Sequence, residues 1–127
     1  MNKQIIITAA FFGLTAVILG AFGAHALKSS LTVIQLNNWR TGVEYQFYHA
    51  LALLFLSTFS KYRSRLIKIA FLSFSLGIVL FSGSLYLLST LSITGLPTSY
   101  LGPVTPLGGL FLIGGWLSLI LAALKNK

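Results

Sequence analysis

Few side chains in this chain can carry out acid–base, nucleophilic or metal chemistry. Its 127 residues include one acidic side chain, Glu44, two histidines, His25 and His49, and no cysteine. Without cysteine, disulfides, thiolate metal sites and cysteine nucleophiles are excluded. One carboxylate cannot supply a two-carboxylate mechanism, and the sequence holds neither an HExxH motif nor a serine–histidine–aspartate set. We therefore predict no catalytic residue, no metal site and no cofactor, and we lean against an enzyme.

The remaining candidates concentrate in residues 42–51, GVEYQFYHAL, directly before an apolar run. Two interpretations of Glu44 stay open. It pairs with Arg40, one helical turn earlier, or it faces a pocket in which it meets His25 or receives a cationic ligand. Two histidines on adjacent helices could also hold a haem axially. The choice depends on the elements that position these side chains.

Composition indicates that these elements lie in lipid. Apolar residues make up 56% of the chain and charged residues 8%, far too few to cover a soluble domain of this size. The net charge of +8 sits in short groups between apolar runs, as charges that flank membrane spans do. This arrangement excludes the continuous solvated basic face that nucleic-acid binding needs.

Four apolar runs predict an all-α, polytopic membrane protein with one domain, residues 1–127. We expect transmembrane helices at about 5–27, 43–60, 69–91 and 104–124, packed as a bundle. Residues 28–42 are interpreted as an interfacial helical segment that places Trp39 at the headgroup level. The first run resembles a signal peptide, but its apolar stretch exceeds the usual ~7–15 residues, so we expect a retained helix.

Basic residues predict the orientation of the four spans. One side would carry seven of them and the other only Lys28 and Arg40, a strong positive-inside bias. We therefore expect both termini and the 61–68 loop in the cytoplasm of a multi-pass plasma-membrane protein. The seven are Lys3, Lys61, Arg63, Arg65, Lys68, Lys125 and Lys127.

Small residues recur on three of the four helices and predict close helix packing, with the lipid bilayer as partner and a spare seam available for homo-oligomerisation. The first helix carries Ala9, Gly13, Ala16, Gly20 and Ala24; the third carries Ala70, Ser73, Gly77 and Ser84; the fourth carries Gly108, Gly115, Ser118 and Ala122.

Polar residues on all four helices fall at a similar depth in the outer half of the predicted bundle. Ionisable groups inside a membrane are costly unless they are paired or wetted. Their convergence therefore predicts a polar pocket at this depth, with Gln46 and His49 directed into the bundle. The candidate pocket residues are His25, Glu44, Tyr45, Gln46, His49, Ser84 and Tyr86.

Four motifs in order resemble the YgdD/YwdK family of small bacterial membrane proteins, domain of unknown function 423. They are GAFGAHALK at 20–28, WxTGVxYQxYHALALL at 39–54, FSGSLYLL at 81–88 and LGPVTPLGGLFLIGGW at 101–116. The resemblance implies a four-helix membrane protein and no particular activity. Its pattern carries over onto His25, Tyr45, Gln46, His49, Gly83, Ser84, Tyr86, Pro103, Pro106 and Trp116, but Glu44 is not matched to it.

These observations favour a non-enzymatic membrane protein, a binding or interaction module built around the outer polar pocket. A small oligomeric transporter or channel is the alternative, although the chain shows no inverted repeat of the kind that transporter folds often carry. A membrane enzyme or haem/redox protein is the second alternative.

Overall fold

The protein is described here from a computed structural model, which covers residues 2–61, 64–96 and 100–125, without the side chains of residues 2, 60 and 61. Two basic residues that entered the predicted orientation, Arg63 and Lys127, lie outside the described residues. So do residues 97–99, between the third and fourth predicted spans. The described chain is helical. Its elements are α1 (Asn2–His25), α2 (Val33–Leu56), a 3-10 helix (Ser57–Lys61), α3 (Arg65–Ser89), α4 (Leu91–Thr94) and α5 (Val104–Lys125).

Local side-chain bonds define where the helices begin and end. The Ser64 hydroxyl accepts from the backbone N–H of Leu66 at 3.2 Å and caps α3. The short helix α4 ends at Gly95, whose φ of 66° is the left-handed conformation typical of a helix C-terminus. Pro106 lies in the first turn of α5, where a missing N–H breaks no helical hydrogen bond.

Helix α2 is continuous from Val33 to Leu56, so most of the predicted interfacial segment 28–42 and the start of the predicted span at 43 belong to one helix. Thr32 and Gln35 form a reciprocal capping box that starts the helix early, with bonds of 2.9 and 3.2 Å. Gly42 does not interrupt it. An added Cβ there would lie 2.9 Å from the Tyr86 ring, so this glycine permits a close contact with α3.

Successive long helices run antiparallel, and α1 packs on α2, α2 on α3, and α3 on α5. The ends at which α1 and α3 finish and α2 and α5 start therefore lie together; we call this the His25 end of the bundle. Cross-helix pairs give the register: Leu19 meets Trp39, Gly42 meets Ser82, and Ser84 meets Thr105. The Trp39 ring also packs on Gly23, two residues before the end of α1, so α2 extends beyond α1 by about one turn at most.

Close helix packing through small residues is confirmed most clearly between α3 and α5. An added Cβ on Gly77 would meet the Leu112 side chain at 2.5 Å, and one on Gly115 would meet Phe74 at 2.6 Å. On α1 the predicted stripe fails only at its last member: Ala24 is exposed, and Gly23, three residues after Gly20, packs against Trp39 instead. Steps of four drift around a helix of 3.6 residues per turn, whereas alternating steps stay on one face.

The outer surface of the bundle is hydrophobic along most of its length. Leu14 on α1, Val79 on α3 and Leu110 on α5 are each more than half exposed, as are many neighbouring aliphatic side chains. Such a surface requires an apolar solvent. Among the described residues, three helices are long and apolar enough to cross a membrane: Lys3–His25, Arg65–Ser89 and Val104–Lys125. Polar residues in the first half of α2 distinguish it from these three.

Candidate functional site

The side chain of Gln46 joins three helices at the centre of the bundle. It is 4% exposed. Its amide nitrogen donates to the carbonyl of Phe12 at 2.9 Å and to the hydroxyl of Thr15 at 2.7 Å, both on α1. Its amide oxygen accepts from the Tyr86 hydroxyl on α3 at 2.7 Å. Gln46 thus uses both amide hydrogens and its oxygen within the protein, which makes it a cross-link between helices.

His49 joins α2 to α5. The indole Nε1 of Trp116 donates to Nε2 of His49 at 3.1 Å, and Nδ1 of His49 lies 2.7 Å from the carbonyl oxygen of Tyr45. The ring also contacts Phe74, with centroids 5.7 Å apart. Both imidazole nitrogens are therefore engaged, and axial ligation of a haem would break one of these bonds.

The proton position on His49 follows from its partners and gives a first prediction. An indole N–H can only donate and a carbonyl can only accept, so Nε2 is unprotonated and Nδ1 carries the hydrogen. We expect the ring 15N signals of His49 in detergent-solubilised protein to report this neutral Nδ1–H tautomer. In Trp116→Phe the signals should change, because Nε2 loses its donor, whereas those of the exposed His25 should not. Equal changes at both histidines would contradict the assignment.

Two serines of α3 make shorter links between helices. The buried Ser82 hydroxyl donates to the carbonyl of Gly42 at 2.6 Å, and the hydroxyls of Ser84 and Thr105 lie 2.6 Å apart. Tyr86 also packs on Trp39, with ring centroids 4.7 Å apart. The polar groups of α3 that were expected at this depth therefore bond to neighbouring helices.

The structure thus divides the seven candidate pocket residues into two groups. Four are engaged between helices: Gln46, His49, Ser84 and Tyr86. The other three, His25, Glu44 and Tyr45, are exposed at the bundle surface. His25 is the last residue of α1, and no ion pair joins it to Glu44 in the described structure. The expected inward direction of Gln46 and His49 is confirmed.

Two contributors to the polar contacts were not foreseen from the sequence. Trp39 is 7% exposed, and its Nε1 donates to the carbonyl of Leu19 at 2.9 Å. This contact depends on the register of α2 against α1, which periodicity within one helix cannot reveal. Thr15 was overlooked, although a hydroxyl inside the apolar run IIITAAFFGLTAVILG is itself a signal for an interhelical bond.

Open space lies on both sides of the outward face of α2. The α1/α2 groove, about 480 Å³, is lined by α1 residues between 16 and 21 and by Val43, Glu44, Phe47 and Tyr48. The α2/α5 groove, about 450 Å³, is lined by Tyr45, Tyr48 and His49 and by α5 residues between 109 and 116. Tyr48 borders both grooves, so together they frame one aromatic face of α2.

Metal binding has no support in the described part of the chain, where no group of three or more histidine, aspartate or glutamate side chains converges. His49 uses both nitrogens in hydrogen bonds, and Glu44 and His25 lie apart. The described arrangement can hold helices together and can present an apolar, aromatic-rich surface with one carboxylate.

Comparison with known proteins identifies relatives that align with this chain over nearly their whole length. The family model described as "Protein of unknown function (DUF423)" matches residues 19–109. UPF0382 membrane protein YwdK of Bacillus subtilis is 44% identical over 126 residues, covering 97% of this chain and 98% of the relative. UPF0382 membrane protein SH2409 of Staphylococcus haemolyticus is 40% identical over 97% of both chains.

UPF0382 inner membrane protein YgdD of Escherichia coli is 37% identical over 133 aligned positions, covering 99% of this chain and 93% of the relative. No solved structure matches the chain. The family match covers more than half of the sequence, and the relatives align over nearly all of it. This chain is therefore a membrane protein that belongs to the DUF423 family of unknown function.

Proposed function

We propose that this protein is a non-enzymatic, multi-pass protein of the plasma membrane that binds a small amphiphilic molecule taken sideways from the bilayer. The binding region is the outward face of α2 with its two grooves. A single observation carries the proposal. The buried polar side chains bond to groups within the bundle, whereas the two grooves adjoin the aromatic face of α2. The proposal thus replaces the expected polar pocket in the outer half of the bundle with two lateral grooves.

The proposal includes four membrane spans. Helix α2 has 24 residues, about 36 Å of helix, which is long enough to cross the ~30 Å hydrocarbon core. It packs between α1 and α3, both apolar enough to span. Its polar side chains Gln46 and His49 are bonded to neighbouring helices, which lowers the cost of placing them in lipid. We infer that α2, packed between two helices that cross the membrane, crosses it together with them.

Basic residues at one end of the bundle support an orientation for these four spans in the membrane. Lys3, Arg65 and Lys68 lie at the end of the bundle opposite His25, together with the final basic residue of α5, Lys125. The positive-inside bias places that end in the cytoplasm and the His25 end outside. Both termini are then cytoplasmic, and the first turns of α2 lie at the outer interface.

The grooves have the dimensions and chemistry of small-molecule sites. At about 450 and 480 Å³ they fall within the ~300–1,000 Å³ of ligand pockets. Their lining is largely aliphatic or aromatic, which suits an apolar chain or ring. Tyr45 lines the α2/α5 groove, and Glu44 lies beside the α1/α2 groove, whose exposed lining is apolar. A carboxylate next to an apolar groove suits a molecule that is apolar at one end and polar at the other.

Mass spectrometry of the intact protein released from mild detergent tests this function. We expect a recurrent added mass on the wild-type protein. Tyr48→Ala, which opens the wall common to both grooves, should reduce its occupancy. Leu117→Ala is the matched control, because Leu117 is 54% exposed on α5 and lines neither groove. Bare subunit masses for the wild type, alone or as oligomers, would overturn the proposal.

A further inference from the structure

Glu44 lacks a counter-charge in the described fold. It is the only acidic side chain of the protein, and it is exposed on α2. Arg40 lies one turn earlier on the same helix, yet no described lysine, arginine or histidine nitrogen is within ion-pairing distance of the carboxylate. Instead Arg40 lines a separate small cavity of about 80 Å³ beside Trp39. The expected Arg40–Glu44 pair is thus not formed.

The depth of Glu44 makes an unpaired carboxylate costly. Gly42 is level with Ser82 on α3, and Glu44 lies two residues farther from the His25 end. Since α3 ends at Ser89, the backbone of Glu44 lies roughly 13 Å inside that end of the bundle. At this depth it adjoins lipid chains, where an ionised side chain is expected to find an opposite charge. A cationic ligand would supply that charge.

The surroundings of Glu44 indicate the kind of cation. Phe47 and Tyr48 lie three and four residues later, on the same side of α2, and are 39% and 55% exposed. Aromatic faces attract organic cations. The rest of the α1/α2 groove is apolar, and it contains no basic side chain that could bind a phosphate. A phosphate-bearing lipid headgroup is therefore less well matched than a cation without an anionic group.

We propose that the α1/α2 groove binds a lipophilic organic cation, an ammonium or phosphonium with apolar or aromatic substituents, whose charge pairs with Glu44. This inference deepens the proposed function and rests on it. The apolar substituents occupy the space between α1 and α2, and Phe47 and Tyr48 face the cation. A cation held in this way supplies the missing counter-charge of Glu44.

Equilibrium binding of tetraphenylphosphonium to the full-length protein in non-ionic detergent tests the inference. The wild type should bind it saturably, and Glu44→Gln, which keeps the side-chain shape, should bind roughly 10- to 100-fold more weakly. Arg40→Gln is the matched control on the same helix and should bind at least as tightly as the wild type. Equal affinity of Glu44→Gln and wild type would overturn the role of the carboxylate.

A neutral ligand keeps the test decisive if a variant does not fold. Triphenylphosphine oxide carries similar rings without a positive charge and should compete poorly with tetraphenylphosphonium on the wild type. Effective competition would contradict charge recognition. No tetraphenylphosphonium binding by a wild type that still carries an added mass would overturn this inference and leave the proposed function intact, whereas loss of both would overturn the two together.

Discussion

Gly108→Ala is expected to lower the free energy of unfolding by about 3 kcal/mol, because a methyl group at this position overpacks a contact between two backbones. An added Cβ would overlap the backbone nitrogen of Phe81 and lie 2.8 Å from the carbonyl carbon of Leu80. A flexible side chain could rotate away, but the backbone of α3 cannot move without separating the helices. Thermal or denaturant unfolding in detergent, followed by circular dichroism, measures the loss.

Gly109→Ala is the matched control for this prediction. Its added Cβ would lie 3.9 Å from the Phe81 ring, an ordinary contact distance. Alanine is also the better helix former, by up to about 1 kcal/mol, so this variant should be as stable as the wild type or slightly more stable. If the two alanine variants lost stability equally, the close approach of α3 and α5 at Gly108 would be wrong.

Gln46→Glu is expected to destabilise the protein by about 3 kcal/mol, although it changes only one atom of the side chain. The amide nitrogen donates to the carbonyl of Phe12 and to the hydroxyl of Thr15, which already donates to the carbonyl of Phe11. A carboxylate oxygen in this place would face acceptors, within a site that excludes water. A protonated acid would restore only one of the two donors.

Gln35→Glu is the matched control: it is the same substitution in the same helix, at a site where the side-chain oxygen accepts the capping hydrogen bond. Gln35 accepts from the backbone N–H of Thr32 through Oε1, and a glutamate can accept in the same way. Its stability should therefore match the wild type when both variants are unfolded in the same detergent. Tyr86→Phe, which removes one donor to Gln46, should cost about 1 kcal/mol. Wild-type stability in Gln46→Glu would show that Gln46 does not cross-link the helices as described.

Much of the architecture could be predicted because it depends on one-dimensional patterns. Long apolar runs predicted α1, α3 and α5 to within a few residues, since their length and hydropathy are properties of each segment alone. The inward direction of Gln46 and His49 was also predictable, because polar groups in an apolar helix are stabilised by neighbouring helices. The motifs at 20–28, 39–54, 81–88 and 101–116 indicated the family.

The sequence was less informative about partners across helices. Three such pairs depend on the rotation and register of the helices: Gln46 with Tyr86, His49 with Trp116, and Trp39 with Leu19. These offsets arise from loop lengths and from glycine contacts between helices, which no single segment encodes. The predicted ion pair between Arg40 and Glu44 is absent for a related reason. A spacing of four residues on a helix permits an ion pair but does not enforce it.

The sequence by itself determined that this protein is helical, lies in a membrane and belongs to its family. Composition and motifs are properties of single segments, so they can be recognised without knowing how the segments pack. Only the tertiary structure decided which polar side chains form hydrogen bonds between helices and which are exposed at the bundle surface. Hydrogen bonds and grooves form between helices, so they depend on rotation and register about each axis. The bundle thereby separated the engaged Gln46 and His49 from the unpaired Glu44.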